Sequence, residues 1–414
     1  MKFIFGLSIK NLLRYKRRTI ITCSALAFGV ALFLWMDGFL LGAAKDSERN
    51  LIYYETGSAK IMNKQYFDEI QYLPLKYVVE DPAGVENILD EKGITHTRRT
   101  VFAGEVFFGE GDMPVKIIAI NPETDSNVFK LEETLDKESD SRFLKTDEDG
   151  ILIGHWLARD LKATIGDEVS VRTRTRYGTW EVLDLTIVGI INSPNPVINK
   201  GTGFIPISVA DEMLEMDGAV SEIAMLIPDW ENLNEKLSKL TPFIINKYPK
   251  LTIQSWADIA KDFVAINKAK TGNSKIIIFL ILIIAAVGIS NTMLMAVFER
   301  VKEMGMMRAM GMKDSDIRLS FLIEAGFIGI IGSVIGIILG GLLTWVMVEV
   351  GLDYSGLLGD MDIGYRTYGV FRAVWNPPAF IIAFIVSPIA CMLISLLPSS
   401  RALKMDITAA LRYE

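Results

Sequence analysis

Of the side chains that titrate near neutral pH, the sequence has two, His96 and His155, and neither sits in a pattern that would use it. There is no H-E-x-x-H spacing and no neighbouring set of metal ligands, so both read as structural or surface histidines. Ser58 and Ser193 lie outside any G-x-S-x-G turn, the device that lifts a nucleophile above a sheet. No G-x-x-x-x-G-K-[ST] loop is present to cradle nucleotide phosphates. Cys23 and Cys391, the two cysteines, stand in long apolar runs and read as small buried hydrophobes, neither a redox pair nor a zinc site. The residues thus predict no enzyme, no catalytic group, no metal site and no cofactor bound by this chain.

Patterned charge appears instead at Phe298 to Arg318, FERVKEMGMMRAMGMKDSDIR. Glu299 and Lys302 stand at i,i+3 and Asp314 and Arg318 at i,i+4, pairs that support short surface helices. Gly305 and Gly311 interrupt or cap the first helix, and Asp314 or Ser315 can start the next. Met304, Met306, Met307, Met310 and Met312 supply a soft apolar surface of the kind that adapts to partner proteins. A solvated hairpin between two apolar helices is the plainer alternative.

The elements around this loop are membrane spans. The chain has 414 residues, 50% of them hydrophobic and only 22% charged. Its mean hydropathy of +0.31 is unusual for a soluble protein. Thr19 to Leu41 is apolar over a length able to cross a hydrocarbon core of about 30 Å. A cleavable signal peptide, with Gly42 and Ala44 as small residues, is the rival reading, but the run exceeds the usual apolar core of about 7 to 15 residues. Ile276 to Phe298, Leu319 to Val348 and Phe380 to Leu397 complete four predicted spans.

Charge orients these spans. Lys45 to Lys275 carries 27 Lys and Arg against 38 Asp and Glu, a net of −11, while the rest of the chain nets +4. Basic residues cluster before the first span, between the second and third (Arg300, Lys302, Arg308, Lys313, Arg318) and after the fourth (Arg401, Lys404, Arg412). By the positive-inside rule both termini and the short loop are cytoplasmic, and the acidic stretch faces outward. The overall −7 also argues against a nucleic-acid partner. The expected fold is therefore a membrane α-helical protein of four transmembrane helices, with a large mixed α/β extracytoplasmic domain inserted between the first and second spans. Its parts are a cytoplasmic segment 1–18, a first span 19–44, an outer α/β domain 45–275 ending in a stalk helix, and a three-helix domain 276–414 with the loop 299–318.

Within the outer domain, Pro82 to Lys92 suits an amphipathic helix capped by Asp81 with Pro82 at its first position. Val101 to Phe108, Val115 to Ile120, Glu168 to Arg174 and Trp180 to Ile191 are β-branched and aromatic runs bounded by turn residues, which predicts strands. Lys130 to Gly150 reads as an exposed helix or loop. Ser255 is a plausible N-cap for a stalk running to Asn273, since Trp256, Ile259, Ala260, Phe263 and Ile266 recur at helical spacing.

In the third span Gly332, Gly336 and Gly340 leave one helix face bare, as Gly38 and Gly42 do in the first, so another helix can approach closely, in the same chain or in a second subunit. Asp37 reads as solvated near the outer interface, and Glu324 as a carboxylate that snorkels or contacts the loop. Phe28, Leu32, Trp35 and Phe39 of the first span, with Ile278, Ile281 and Leu282 of the second, could line an acyl-chain site and are equally ordinary lipid-facing residues.

Asn291 to Met312, NTMLMAVFERVKEMGMMRAMGM, followed by Asp316, Ile317 and Glu324, resembles the signature of the FtsX-like permeases of ABC transporters, the group that includes MacB and the lipoprotein-releasing LolC and LolE subunits. Ser399 to Glu414 is similar to that family's C-terminal ending, and Gly150 to Val171 with Leu185 to Ser193 resembles its extracytoplasmic domain. The order of one span, a large domain and three spans is shared as well.

The resemblance implies a dimeric permease subunit of the bacterial inner membrane, a homo- or heterodimer, served by two copies of a cytoplasmic ATPase that binds ATP and Mg. MacB carries its ATPase fused in front, and this chain contains no such domain, so the ATPase is expected as a separate subunit. On this view the loop is the element that docks on the ATPase. Glu299, Arg300, Glu303 and Arg308 would hold it in a groove, with Gly305 and Gly311 permitting close backbone approach. ATP-driven closure would be relayed to the outer domain, a mechanotransmission acting on a lipoprotein or other periplasmic substrate. The layout is closest to LolC and LolE. A regulator of a periplasmic hydrolase and a MacB-type efflux permease share every one of these motifs.

Overall fold

The computed structural model describes residues 5, 6, 8, 10, 12, 14–136, 139–228, 232–269, 290, 294, 295, 298–353 and 370–404. The principal helices are α1 (Lys16–Leu51), α2 (Pro82–Glu91), α3 (Leu233–Lys247), α4 (Val301–Ala309), α5 (Asp314–Glu349) and α6 (Pro377–Ala402). The chain divides into two units, one of Met1–Ala43, Lys268–Leu352 and Phe371–Glu414, the other of Ala44–Asn267 and Asp353–Val370.

Among the described residues, three helices are long and apolar enough to cross a membrane: Thr19–Thr56, Asp314–Glu349 and Pro377–Ser400. They correspond to the first, third and fourth predicted spans; the second, Ile276 to Phe298, lies almost wholly outside the described residues. Helix α1 continues past the predicted Leu41 because buried Ala43, Ser47, Asn50 and Leu51 recur at helical spacing. Leu26, Val30 and Leu34 of α1 join Ala325 and Ile328 of α5 and Ala383 and Cys391 of α6 in one apolar core. Both cysteines are free and buried. Pro388 lies inside α6 without ending it, and Ser387 Oγ donates to the Ala383 carbonyl at 2.7 Å.

The second unit is built on nine strands: β1 (Ala59–Asn63), β2 (Thr95–Phe108), β3 (Gly111–Ile120), β4 (Gly150–Gly154), β5 (Glu168–Arg174), β6 (Trp180–Ile191), β7 (Thr202–Pro206), β8 (Glu222–Leu226) and β9 (Leu251–Ser255). Their order is β3-β7-β4-β6-β5-β2-β8-β1-β9, with β3 also pairing to β2. Six strands therefore close on themselves through β2, and β8, β1 and β9 extend from its N-terminal half. Alternate residues Val115 and Ile117, Ile151 and Ile153, Val169 and Val171, and Leu185 and Ile187 point into the closed part, the two-residue period of a strand. The extension is covered by α2 and α3, whose Val85, Leu89, Leu233, Leu237, Leu240 and Ile244 pack on Ile61, Ile223 and Leu251.

Two predicted strands, Glu168–Arg174 and Trp180–Ile191, are found with their predicted bounds, and the Asp81 carboxylate caps α2 by accepting from the Gly84 amide at 2.9 Å. Lys130 to Gly150 differs from its predicted exposure, since Leu131 and Leu144 pack on the outer face of the barrel with Ile118, Leu152 and Phe204. Asp136 and Arg142 amides donate to the Ile190 and Val188 carbonyls, tying the segment to β6. The stalk also differs. Ser255 caps a helix with a reciprocal capping box, but that helix is Trp256–Ile259, and Ala260 leaves helical geometry before a second run at 261–269. Residues 270–273 of the expected stalk lie outside the described residues.

Candidate functional site

The methionine-rich loop folds as α4, a tight turn, and the start of α5. Gly311 is the residue that makes the turn. Its φ of +91° is a left-handed conformation that glycine adopts without strain. The Gly311 amide donates to the Arg308 carbonyl and the Met312 amide to the Met307 carbonyl, each at 3.0 Å, the paired bonds of a Schellman ending. Gly311 therefore has a conformational role at the turn. Gly305, expected to interrupt or cap the helix, lies buried inside α4.

One stripe of α4 faces inward, with Val301, Met304 and Gly305 buried and Arg308 half-buried, and its apolar members pack on Ile317, Phe321 and Leu403. The opposite stripe, Glu299, Lys302, Met306 and Met310, is exposed at i, i+3, i+7 and i+11 spacing, with Met310 80% accessible. Sequence spacing alone did not separate these faces, because methionine occurs on both.

Arg300, expected at a partner's groove, is 3% accessible. Its Nη1 donates to Glu324 Oε2 and its Nε to Glu303 Oε2, each at 2.9 Å, while the guanidinium lies 5.2 Å from the Phe321 ring centroid. Glu303 also accepts from Tyr15 Oη at 3.3 Å and meets Arg14 at 3.5 Å. Arg300 and Glu303 are thus committed to the chain itself, because a buried guanidinium needs charged and hydrogen-bonding partners. Arg308 pairs with Asp314 across the turn at 3.0 Å. Of the predicted charges, Glu299 is the exposed one. Glu324, read as a carboxylate contacting the loop, does so through Arg300. Tyr15 and Ser8, whose Oγ donates to the Ser320 carbonyl at 3.1 Å, tie the N-terminal segment to the same place, a link that no spacing in the sequence announces.

The glycine stripe of α5 packs within the chain. A Cβ at Gly332 would lie 2.7 Å from Leu26, one at Gly336 2.6 Å from Val30, and one at Gly340 3.0 Å from Ala31, all on α1. Gly38 and Gly42 of α1 lie against the backbone at Val374 and Arg372, and Asp37 accepts from Asn376 Nδ2 at 2.7 Å. Of the residues considered for acyl contacts, Phe28 is exposed, Leu32, Trp35 and Phe39 are half-buried, and Trp35 stacks on Phe39 with centroids 6.5 Å apart. Ile278, Ile281 and Leu282 lie outside the described residues.

In the outer unit a cleft of about 700 Å³ is lined by residues 63–65, 76–81 and 247–251. Beside it the Tyr248 hydroxyl, at 2.7 Å, and then the Gly84 amide hold the Asp81 carboxyl below its ordinary range. Among the described residues no group of three or more His, Cys, Asp or Glu is placed to hold a metal ion.

The chain is 24% identical over 366 residues to an uncharacterized ABC transporter permease of Methanocaldococcus jannaschii, an alignment covering 83% of this chain and 84% of the relative. It is 25% identical over 275 residues to the lipoprotein-releasing system transmembrane protein LolC of Neisseria meningitidis, covering 64% of this chain and 65% of the relative. The periplasmic region of MacB from Actinobacillus actinomycetemcomitans aligns with a TM-score of 0.36 and 14% identity, over 51% of this chain and 94% of that one. The FtsX-like permease C-terminal domain matches residues 275–407, which contain the whole α4 turn and the Arg300–Glu324 pair. Residues 275–407 thus carry an FtsX-like permease C-terminal domain, about a third of the chain.

Proposed function

We propose that this protein is the membrane permease subunit of an ABC transporter, coupling ATP hydrolysis in a separate cytoplasmic ATPase to movement of its extracytoplasmic domain. The observation that carries the reading is the family match over 275–407, which includes a loop whose exposed stripe combines charge with methionine. That stripe, Glu299, Lys302, Met306 and Met310, is the surface offered to the ATPase, while Arg300, Glu303 and Glu324 hold it rigid from behind. A rigid mount matters because ATP shifts a conformational equilibrium only by binding one state better than the other, and a slack contact would dissipate that difference. The protein works as a dimer in the cell membrane with two ATPase copies, and its cargo is a lipoprotein, a reading supported by the similarity to LolC over 275 residues.

The test is site-specific photocrosslinking in the full chain in its native membrane. A photoreactive residue at Met310 is expected to capture a Walker-type ATPase; adducts that contain no ATPase overturn the coupling assignment. At Trp35 an acylated protein is the expected adduct. A soluble hydrolase there would replace lipoprotein extraction with regulation, and a periplasmic adaptor would replace it with efflux.

A further inference from the structure

The cleft of about 700 Å³ in the outer unit has a volume within the ordinary range of small-ligand sites and a lining at odds with its surroundings. The sequence from Lys45 to Lys275 carries a net −11, yet Lys64, Lys76, Lys247 and Lys250 all line this one cleft. Its two carboxylates offset them only in part. Glu80 is paired with Arg176 at 2.6 Å, while Asp81, which accepts from the Tyr248 hydroxyl and the Gly84 amide, keeps its negative charge near Lys247. Lys64 donates to the Pro249 carbonyl at 2.8 Å and Lys76 pairs with Glu69 at 3.4 Å; Lys247 lies 5.2 Å from the Tyr248 ring centroid, and neither it nor Lys250 forms a direct ion pair among the described residues. Buried Val78, Val79 and Leu251 give the cleft an apolar lining, and half-buried Tyr77 and Tyr248 stand beside the lysines.

We infer that this cleft binds a phosphate-bearing ligand of two or more negative charges. Ammonium groups on flexible stems act as point charges without a preferred plane, which suits tetrahedral phosphate better than the planar, bidentate recognition that arginine gives carboxylates. The apolar lining and the tyrosines accommodate an uncharged body attached to that phosphate. A phospholipid headgroup and a soluble phosphate compound share this chemistry. The site is independent of the permease reading, since it uses no residue of 275–407.

The experiment is calorimetric titration of the full chain, purified in a non-ionic detergent, with two probes in turn: sodium tripolyphosphate and dihexanoyl phosphatidic acid. Binding of the first alone marks a soluble ligand, and binding of the second, with none of zwitterionic dihexanoyl phosphatidylcholine, marks a headgroup; either supports the site. The double variant Lys247→Glu/Lys250→Glu should weaken binding about tenfold or more, and Lys247→Gln/Lys250→Gln by less, because it removes attraction without adding repulsion. Lys145→Glu/Lys239→Glu, which leaves the cleft intact, should stay within about twofold. Failure of both anionic probes to bind overturns the inference. So does an equal loss in the Lys145→Glu/Lys239→Glu control, which would mean that phosphate samples the whole surface; unchanged melting curves for the Gln pair separate loss of ligand from loss of fold.

Discussion

The Arg300–Glu324 pair decides how firmly the loop is mounted. Both side chains are nearly inaccessible, at 4% and 2%, and each supplies the other's charge within 2.9 Å. Removing one partner strands a buried charge, which costs about 3 to 5 kcal/mol, whereas replacing both with apolar groups of similar volume is often close to neutral. Arg300→Met or Glu324→Met alone should therefore lower the apparent melting temperature of the detergent-purified chain markedly, followed by tryptophan fluorescence. The combined Arg300→Met/Glu324→Met chain should recover most of it. Two neutral single variants would show that the pair is not what holds the loop. Glu324 was legible in the sequence as a carboxylate facing the loop, since a lone acid in an apolar helix needs a partner. Arg300 was not, although the two positions are equidistant from Met312, the residue just after the turn. Its spacing suited a surface helix equally well, and only burial tells a mounting residue from a docking one.

At the scale of elements, the bare stripe of α5 separates two uses of glycine. A side chain at Gly336 would meet Val30 Cβ at 2.6 Å and the Ala27 carbonyl oxygen at 2.8 Å, so α1 itself would have to move. Gly341 has only Phe380 Cε1 at 3.7 Å in reach, an ordinary contact. Gly336→Ala should consequently destabilise the chain by roughly 1 to 3 kcal/mol, the usual range for overpacking, while Gly341→Ala should be neutral or gain up to about 1 kcal/mol of helix propensity. Thermal melts of the two variants check this, and a Gly336→Ala chain that melts normally but no longer dimerises would move the stripe to a subunit interface. The strands divide in a similar way. β5 and β6 carry alternation or long β-branched runs and were readable. β1, β4 and β7 are five residues each and buried throughout, so nothing in AKIMN, GILIG or TGFIP alternates to reveal a strand. Helix α3 was hidden by Pro242 inside it, which ordinarily signals a break. The charge-dense Lys130 to Gly150 segment concealed two buried leucines for the opposite reason, since its composition is dominated by the residues that stay in water.

For the whole molecule, the separation of −11 from +4 along the chain is a statement about which face of a membrane each part meets. Lys and Arg resist transfer across the bilayer far more than Asp and Glu do, so the positive-inside rule predicts the basic loop at Arg300 to Arg318 in the cytoplasm and the acidic unit outside. The native cysteines make this directly measurable. Cys23 and Cys391 are both buried in the apolar core, at 4% and 0% accessible, so a membrane-impermeant maleimide should leave the natural chain almost unlabelled in intact cells. A cysteine placed at Lys239, an exposed position on α3, should then react in intact cells. One placed at Lys302, on the exposed stripe of the loop, should react only after the membrane is permeabilised. Labelling of Lys302→Cys in intact cells would invert the topology and remove the loop from any cytoplasmic ATPase. That single result would overturn the coupling mechanism while leaving the fold and the phosphate cleft untouched, because neither depends on the side of the membrane on which the loop lies.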